Sequence, residues 1–374
     1  MSTNERLGDL RRQIDEIDGR LIPLFEDRMR ISKKVADIKG LNNMAITDDV
    51  REQQVVDQAM ALVDEEMKGE TSLLMRSIIA ISKEQQRKIL FSADAPLLPP
   101  PRKALRENLT CAFQGVPGAW SEQALAKLFP DAERRAVEFF EDVFLAVKKR
   151  RVAYGVVAIE NSKTGAIGET YDLLRKYGCF IVGRTWIDIK HCLLAREGLA
   201  LSDVREVFSH PEGFRQCSNF LRERAWDLTA CRNTAVAAEM ASGAENGRTA
   251  AIGSRRAGEL NGLRVLAPDI MDSSDNRTSF VVISPEPEYD ENDDLLSVTF
   301  STQHRSGALC ELLLPFMAGG LNLMRIESRP AGSDKYRFFA EIQGNILDEN
   351  TRSVLRQASA ACEYFEVIGC YSNS

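Results

Sequence analysis

A guanidinium stands in an apolar seam near the start of this 374-residue chain. Leu7, Leu10, Ile14, Ile17, Leu21, Leu24, Ile31, Val35 and Ile38 recur at steps of three and four, the pattern of a helix with one buried stripe. Arg28 occupies the slot that Leu7, Ile14, Leu21 and Val35 otherwise fill, and Arg11 and Lys39 share a second heptad position. Further on, Ser82 and Gln86 lie one turn apart beside the stripe Met75, Ile78 and Ile89. Two readings are open. A buried polar residue can fix the register of a coiled coil, with the other polar groups solvated. Alternatively, a desolvated arginine demands an anion, so the same residues would line a cationic pocket inside a helical bundle. Asp48 and Glu52, one turn apart with Arg51 between them, could then supply hydroxyl-binding carboxylates at its mouth.

Three loops farther along hold further candidates. Gln114-Gly115-Val116-Pro117-Gly118, Glu160-Asn161-Ser162 and Ser209-His210-Pro211 each follow an apolar, strand-like run. The glycine loop has neither G-x-G-x-x-G nor P-loop spacing, which favours a tight turn over a nucleotide site. Glu160-Asn161-Ser162 could simply cap a helix, and His210 could be a structural loop histidine. No G-x-S-x-G elbow supports a serine nucleophile. The three histidines, His191, His210 and His304, lack metal-ligand spacing, and the eight cysteines contain no C-x-x-C. That argues against a zinc hydrolase and for free thiols in a reducing compartment. No metal or other cofactor is expected.

The elements that must position these groups fall into three pieces. Residues 92–108 hold four prolines and read as a stiff extended connector; residues 285–294, PEPEYDENDD, read as an acidic, solvated joint. They separate 1–91, 109–284 and 295–374. The first piece predicts three helices, near 5–40, 48–67 and 72–91, with Pro23 bending the first near Gly19. Three helices this elongated bury little alone, so a partner subunit is expected. The middle piece alternates strands, at 109–114, 137–140, 152–159, 179–187, 204–208, 249–253 and 278–284, with helical stretches. That is an α/β pattern, plausibly two lobes with a cleft at the strand ends. The last piece reads strand–helix–strand–strand–helix–strand, an α+β ferredoxin-like plan. A net charge of -7 makes a poor partner for nucleic-acid phosphates. No apolar run is long enough to span a bilayer and no signal-peptide core opens the chain, so a cytoplasmic location is expected.

The helical motifs, L-R-x-x-I-D-x-I-D around Arg11, then Arg28, Lys39, D-D-x-R-E at 48–52 and S-x-x-x-Q at 82–86, resemble the all-helical chorismate mutases. They also resemble the mutase half of the bifunctional chorismate mutase/prephenate dehydratases. The resemblance implies an intertwined dimer in which Arg11 enters the partner's pocket. It also implies that Arg11 and Arg28 bind the two carboxylates of chorismate, that Lys39 and Gln86 face its ether oxygen, that Asp48 and Glu52 hold the ring hydroxyl, and that Ser82 supports a carboxylate. The rearrangement is pericyclic. It needs no nucleophile, only a held conformer and stabilised charge on the breaking ether oxygen.

In the middle piece, AFQGVPGAWSEQA (112–124), VAIENSKTGAIGETYDLL (157–174), SHPEGFRQC (209–217) and NRTSF (276–280) are similar to prephenate dehydratases. The first of these segments is as close to plant arogenate dehydratases as to bacterial enzymes. The resemblance makes Thr278 the essential threonine and places Glu160, Asn161, Ser162, Ser209, His210, Gln216, Ser279 and Phe280 in the cleft. A threonine hydroxyl is a feeble acid, so it would donate a hydrogen bond within a relay. Ser279 stands where the family has arginine, Glu212 where it has glutamine, and Ala158 where it has proline. Arg277 is a candidate to replace the lost guanidinium. In the last piece Gly307-Ala308-Leu309 and Glu327-Ser328-Arg329-Pro330 resemble the phenylalanine-binding ACT domain, implying feedback inhibition by phenylalanine. Gly307 would admit a carboxylate to a helix N-terminus; Glu327 would hold the amino group or, alternatively, pair with Arg329. Two rival readings remain at this point: a mutase fused to an arogenate dehydratase, and a dehydratase-like domain that only binds a small acid.

Overall fold

The structure, a computed structural model, describes all residues except 1–2, 43, 91–95, 106, 108, 246, 333–335 and 373–374. Helix α1 spans Thr3–Leu41 and continues through Pro23. Helix α2, Asp49–Met60, is shorter than the expected 48–67. Leu62 is exposed, so no apolar contact holds another turn, and the chain makes only a 3-10 turn at Glu65–Met67 before α3, Lys68–Leu90. The seam of α1 finds a partner within this chain only toward its C-terminal half, where Met29, Ser32 and Ala36 are buried. Leu7, Leu10, Ile14, Ile17, Leu21 and Leu24 are all exposed.

The middle region runs β1 Thr110–Gln114, α4 Trp120–Leu128, β2 Glu133–Val137, α5 Phe140–Lys148, β3 Tyr154–Asn161, β4 Gly165–Ala166, α6 Gly168–Tyr177 and β5 Phe180–Asp188. It then crosses into a second lobe: β6 Cys192–Ala195, β7 Glu206–Ser209, α7 Pro211–Gln216, α8 Ser218–Arg222, β8 Asp227–Ala230, α9 Thr234–Gly243, β9 Thr249–Gly253, α10 Arg255–Leu260 and β10 Arg264–Ala267. Strand β11, Arg277–Ser284, returns to the first lobe and lies antiparallel between β3 and β5. Both β3 and β11 are buried along nearly their whole length, which explains continuous apolar runs where a half-exposed strand would alternate. The second lobe is a five-stranded sheet, β10-β6-β9-β7-β8. The second strand lies at 133–137 and not at 137–140. It is the sheet's edge, its exposed Glu133, Arg134 and Arg135 carry no apolar period, and the residues that looked strand-like lead into α5. Strands β6, β8 and β10, four residues each, are additions to the expected set; β7, equally short, is the strand expected at 204–208.

The last region is β12 Leu295–Ser301, α11 Ala308–Ala318, β13 Leu323–Pro330, β14 Tyr336–Gln343, α12 Glu349–Ala360 and β15 Tyr364–Tyr371. Its sheet, β13-β14-β12-β15, continues into the first lobe through β15 and β5. Neither connector is free. Leu98 is buried in the core of the last region, and Arg102 bonds Glu288, which also accepts from the Tyr154 hydroxyl at 2.8 Å. The expected solvated joint at 285–294 is therefore pinned to the middle region at its start, because a partly buried carboxylate there has two hydrogen-bond donors to satisfy it. Among the described residues no helix is long and apolar enough to cross a membrane, and all eight cysteines are free thiols.

The junction between the sheets is narrow. Gly369 pairs with Ile181, and a Cβ at Gly369 would collide with the Ile181 carbonyl oxygen. Gly369→Ala should therefore push β15 from β5 and lower stability by about 1–3 kcal/mol, the usual cost of overpacking. Urea unfolding measures it; an unchanged midpoint would mean the junction carries no strain.

Candidate active sites

The C-terminal half of α1 with α2 and α3 encloses a cavity of about 400 Å³. Arg28 and Lys39 enter it from α1, Arg51 and Glu52 from α2, Asp48 from the preceding loop, and Ser82 and Gln86 from α3. Arg28 is half-buried, and desolvation lowers its pKa. Its Nη1 donates to Ser82 Oγ at 2.7 Å, and no carboxylate pairs with it among the described residues. Lys39 Nζ donates to the Ile46 carbonyl at 2.6 Å. Asp48 caps α2 by accepting from the Arg51 amide at 3.0 Å. Gln86 donates to Ser32 Oγ, leaving its own Oε1 buried without a partner. Cations that lack counter-charges suit a small polycarboxylate, and the unsatisfied amide oxygen suits a hydroxyl donor on it.

One charged pocket residue escaped the sequence reading. Lys83, 3% exposed, reaches Glu52 at 2.9 Å and Glu311 of α11 at 3.1 Å. It ties the pocket to the last region. Its signal was available, since Ile79, Lys83 and Gln86 share one face of α3. Arg11 is the one predicted member that does not reach this cavity. It is exposed on α1, 17 residues before Arg28 or roughly 26 Å along the axis.

A second cavity, about 340 Å³, lies between the two lobes. The glycine loop is the tight turn expected: Gly115 and Gly118 both have positive φ, and Gly118 packs directly on Ala257 of α10. The cleft gathers Asn161, His210, Gln216, Thr278 and Phe280, together with Trp120 and Ser121 at the start of α4 and Asn233 and Thr234 at the start of α9. Two helix N-termini and Arg232 thus face the space, an arrangement that favours anions. Asn161 caps no helix. Its Oδ1 accepts from the amides of Lys163 and Thr164, while its Nδ2 donates to Thr278 Oγ1 at 3.0 Å. His210 caps α7 by accepting from the Glu212 amide and also lines the cleft.

Four expected cleft residues lie elsewhere. Ser209 is fully buried beneath Gly213 and bonds the Ile252 carbonyl, so it is structural. Ser162 is exposed and ties the loop to residues 275–277. Glu160 and Ser279 face away from the cleft because strand alternation turns the neighbours of Asn161 and Thr278 to the other side. There, Arg184 of β5 donates to Ser279 Oγ at 2.7 Å, to Glu341 at 2.8 Å and to Glu160 at 3.5 Å, and Arg325 of β13 reaches Glu160 at 2.8 Å. Arg184, not Arg277, is the guanidinium beside Ser279; Arg277 pairs with Asp188 at the surface. The sequence reading also missed His191 and Asn276. His191 lines the cleft, and burial pushes its pKa down to about 4, leaving a neutral ring.

In the last region Gly307 is the N-cap of α11, followed by Ala308 and Leu309, with φ of 79°. Glu327, Ser328, Arg329 and Pro330 lie on β13, the edge strand. Arg329 pairs with Asp172 of α6 at 3.1 Å, and no cation pairs with Glu327 among the described residues.

Residues 111–288 match the family described as prephenate dehydratase, and residues 10–87 match chorismate mutase type II. Arogenate dehydratase/prephenate dehydratase 2, chloroplastic, of Arabidopsis thaliana is 34% identical over 74% of this chain and 78% of its own length. The bifunctional chorismate mutase/prephenate dehydratase of Escherichia coli (strain K12) is 29% identical over 99% of this chain and 97% of its own. A solved prephenate dehydratase in complex with L-Phe, from Arthrobacter aurescens, shares 28% identity and a TM-score of 0.66, covering 71% of this chain and 90% of that one. Two pockets of different chemistry on one chain, each inside its own family match, have the same explanation: the chain belongs to the bifunctional chorismate mutase/prephenate dehydratase family.

Proposed function

We propose that the helical pocket rearranges chorismate to prephenate and that the cleft converts prephenate to phenylpyruvate, with units at 1–91, 109–284 and 295–374 joined by connectors at 92–108 and 285–294. The observation that carries the mutase site is Arg28, a half-buried guanidinium whose side-chain partner is a hydroxyl. One carboxylate of chorismate fills that vacancy, with Ser82 beside it; Lys39 and Gln86 address the ether oxygen, and Glu52 with Asp48 the ring hydroxyl. Arg11 of a second copy brings the remaining cation. The exposed apolar half of α1 supports such a dimer, since a seam of this length is costly to leave in water. Nothing in the chemistry calls for a metal or cofactor: holding the compact conformer and stabilising charge on the breaking C–O bond account for it.

In the cleft, the ring carboxylate of prephenate leaves as CO2, its electron pair aromatises the ring, and the ring C–O bond breaks. The departing oxygen takes a proton and leaves as water. Thr278 hydrogen-bonds that oxygen; its seat on a rigid strand and the bond it accepts from Asn161 support the role. The helix N-termini and Arg232 receive the carboxylates. Arogenate carries an ammonium where prephenate has a keto oxygen; the Arabidopsis relative's name supports a second substrate of that kind. Purified protein given each acid separately decides between them.

Phenylalanine would bind the last unit at Gly307, Ala308 and Leu309, with Glu327 of the segment Glu327-Ser328-Arg329-Pro330 taking its ammonium. The carboxylate of Glu327, unpaired among the described residues, and the start of α11, which no side chain caps, support that site. The edge position of β13 suits pairing with a second copy.

Arg28→Ala should cut chorismate turnover at least a hundredfold, about 3 kcal/mol of transition-state stabilisation; near-normal turnover would leave Arg28 a register residue. Thr278→Ala should abolish most prephenate turnover while sparing the mutase, and Thr278→Ser should retain appreciable activity; full activity in the alanine variant would remove Thr278 from the mechanism. Calorimetry should show phenylalanine binding to the intact protein and inhibition of the dehydratase, both weakened by Glu327→Ala. Without binding, the last unit is structural.

A further inference from the structure

Resting on the reading of the cleft as the dehydratase site, we infer that Glu212 is the terminal acceptor of an amide chain, through Gln216 and Asn276 to Asn161, whose one self-consistent orientation leaves the Thr278 hydroxyl proton free for the substrate. The chain begins at Asn161. Its Oδ1 accepts from the Lys163 amide at 2.9 Å and the Thr164 amide at 3.1 Å, groups that can only donate. Its Nδ2 must therefore face the other way, toward Asn276 Oδ1 at 2.7 Å and Thr278 Oγ1 at 3.0 Å, with the Arg277 carbonyl at 3.1 Å as a third acceptor. Asn276, 2% exposed, then donates from Nδ2 to Gln216 Oε1 at 2.9 Å. Gln216 donates from Nε2 to Glu212 Oε1 at 2.8 Å.

The far end is set independently. An ionised carboxylate can only accept. Burial works to raise the Glu212 pKa, but the hydrogen bonds from Arg215 and Gln216 hold it below the usual carboxylate range. A pure donor at one end and a pure acceptor at the other allow a single self-consistent orientation of the two amides between them. If either turned over, N–H would meet N–H inside the wall of the cleft, a buried mismatch.

Two consequences follow for the reacting group. Thr278 Oγ1 accepts from Asn161, and among the described residues nothing accepts the Thr278 proton, so it is available to the departing ring oxygen. His191 Nε2 lies 3.1 Å from Gln216 Oε1, which as an acceptor requires the proton on Nε2. That leaves Nδ1 a lone-pair acceptor, buried and without a protein partner. The ring hydroxyl is the only hydrogen-bond donor on ionised prephenate, and its oxygen is the atom that the Thr278 proton would meet. Glu212, Gln216 and Asn276 are thus positioning residues, acting through Asn161 and on the tautomer of His191.

The test is a pair of substitutions at one position, assayed on the full-length enzyme. Glu212→Gln loses the charge on Arg215 but can still accept from Gln216. Glu212→Lys also loses it, and can only donate. The lysine variant should turn over prephenate with a kcat at least tenfold below that of the glutamine variant. Its KM should not rise, because an added cation favours a dianionic substrate. Mutase turnover serves as the folding control. Equal kcat values in the two variants, or a loss in the lysine variant that lies wholly in KM, would overturn the inference. Should the lysine variant fail the control, Asn276→Asp carries the test. Its carboxylate accepts from Asn161 but cannot donate to Gln216, so kcat should again fall at least tenfold; wild-type kcat there would overturn the inference equally. Failure of the cleft reading itself would look different, as no prephenate turnover in the wild type or full turnover in Thr278→Ala.

Discussion

A β-strand has two faces, and β11 uses both. Because side chains alternate, Thr278 must face the cleft if Ser279 faces the opposite side of the sheet. On one side Thr278 meets Asn161 and the space between the lobes. On the other, Ser279 accepts from Arg184, which is 5% exposed and surrounded by Glu160, Glu341 and the neighbouring Arg325. That ionic cluster joins the middle unit to β13 and β14 of the last one. The hydroxyl proposed to react and the contact with the last region are therefore adjacent residues of one strand, and any shift of register in β11 would misplace both.

Buried charge recurs wherever two units of this chain meet. Arg184 stands between two carboxylates at the junction of the middle and last units, and Lys83 stands between two at the junction of the first and last. Breaking such a pair strands a charge away from water, which costs far more than the intact pair contributes. These clusters act more as constraints on geometry than as sources of stability. Glu311, one partner of Lys83, is also held by Arg305 at 2.7 Å, just before Gly307. The start of α11 and the wall of the helical pocket thus share one lysine.

The two pockets solve different problems with the same means. A pericyclic rearrangement has no proton to move, so fixed cations and amides suffice. A dehydrating decarboxylation must protonate a poor leaving group, so its site needs a hydroxyl with a defined proton. Neutral amides, a neutral histidine and one ionised carboxylate provide that definition without a strong acid. Such a network is only as good as its complete satisfaction, which explains why so much of it is buried.

The long apolar period of α1, the charged residue within it and the α/β alternation of the middle region were legible because each is a local pattern of spacing. Spacing alone left Arg28, Lys39, Glu52, Ser82 and Gln86 open to two readings, register or pocket, and the resemblance to the chorismate mutases grouped them as one pocket. Thr278, Asn161, His210 and Gln216 were named through motifs. Motifs could not say which way each side chain points, so Glu160, Ser162, Ser209 and Ser279 were wrongly drawn into the cleft. Of the four-residue strands of the second lobe, β7 was legible as an apolar run, whereas β6, β8 and β10 escaped; β8 and β10 are largely exposed or half-buried and so carry no such run. Arg184 and Asn276 acquire meaning only through partners up to 157 and 115 residues away in the chain, and Lys83 through Glu311. Composition and spacing determined the elements and the types of chemistry; strand alternation and the long-range closure of the sheet decided which atoms meet, because hydrogen bonds and buried charges depend on direction and separation in space, and neither is a local property of the chain.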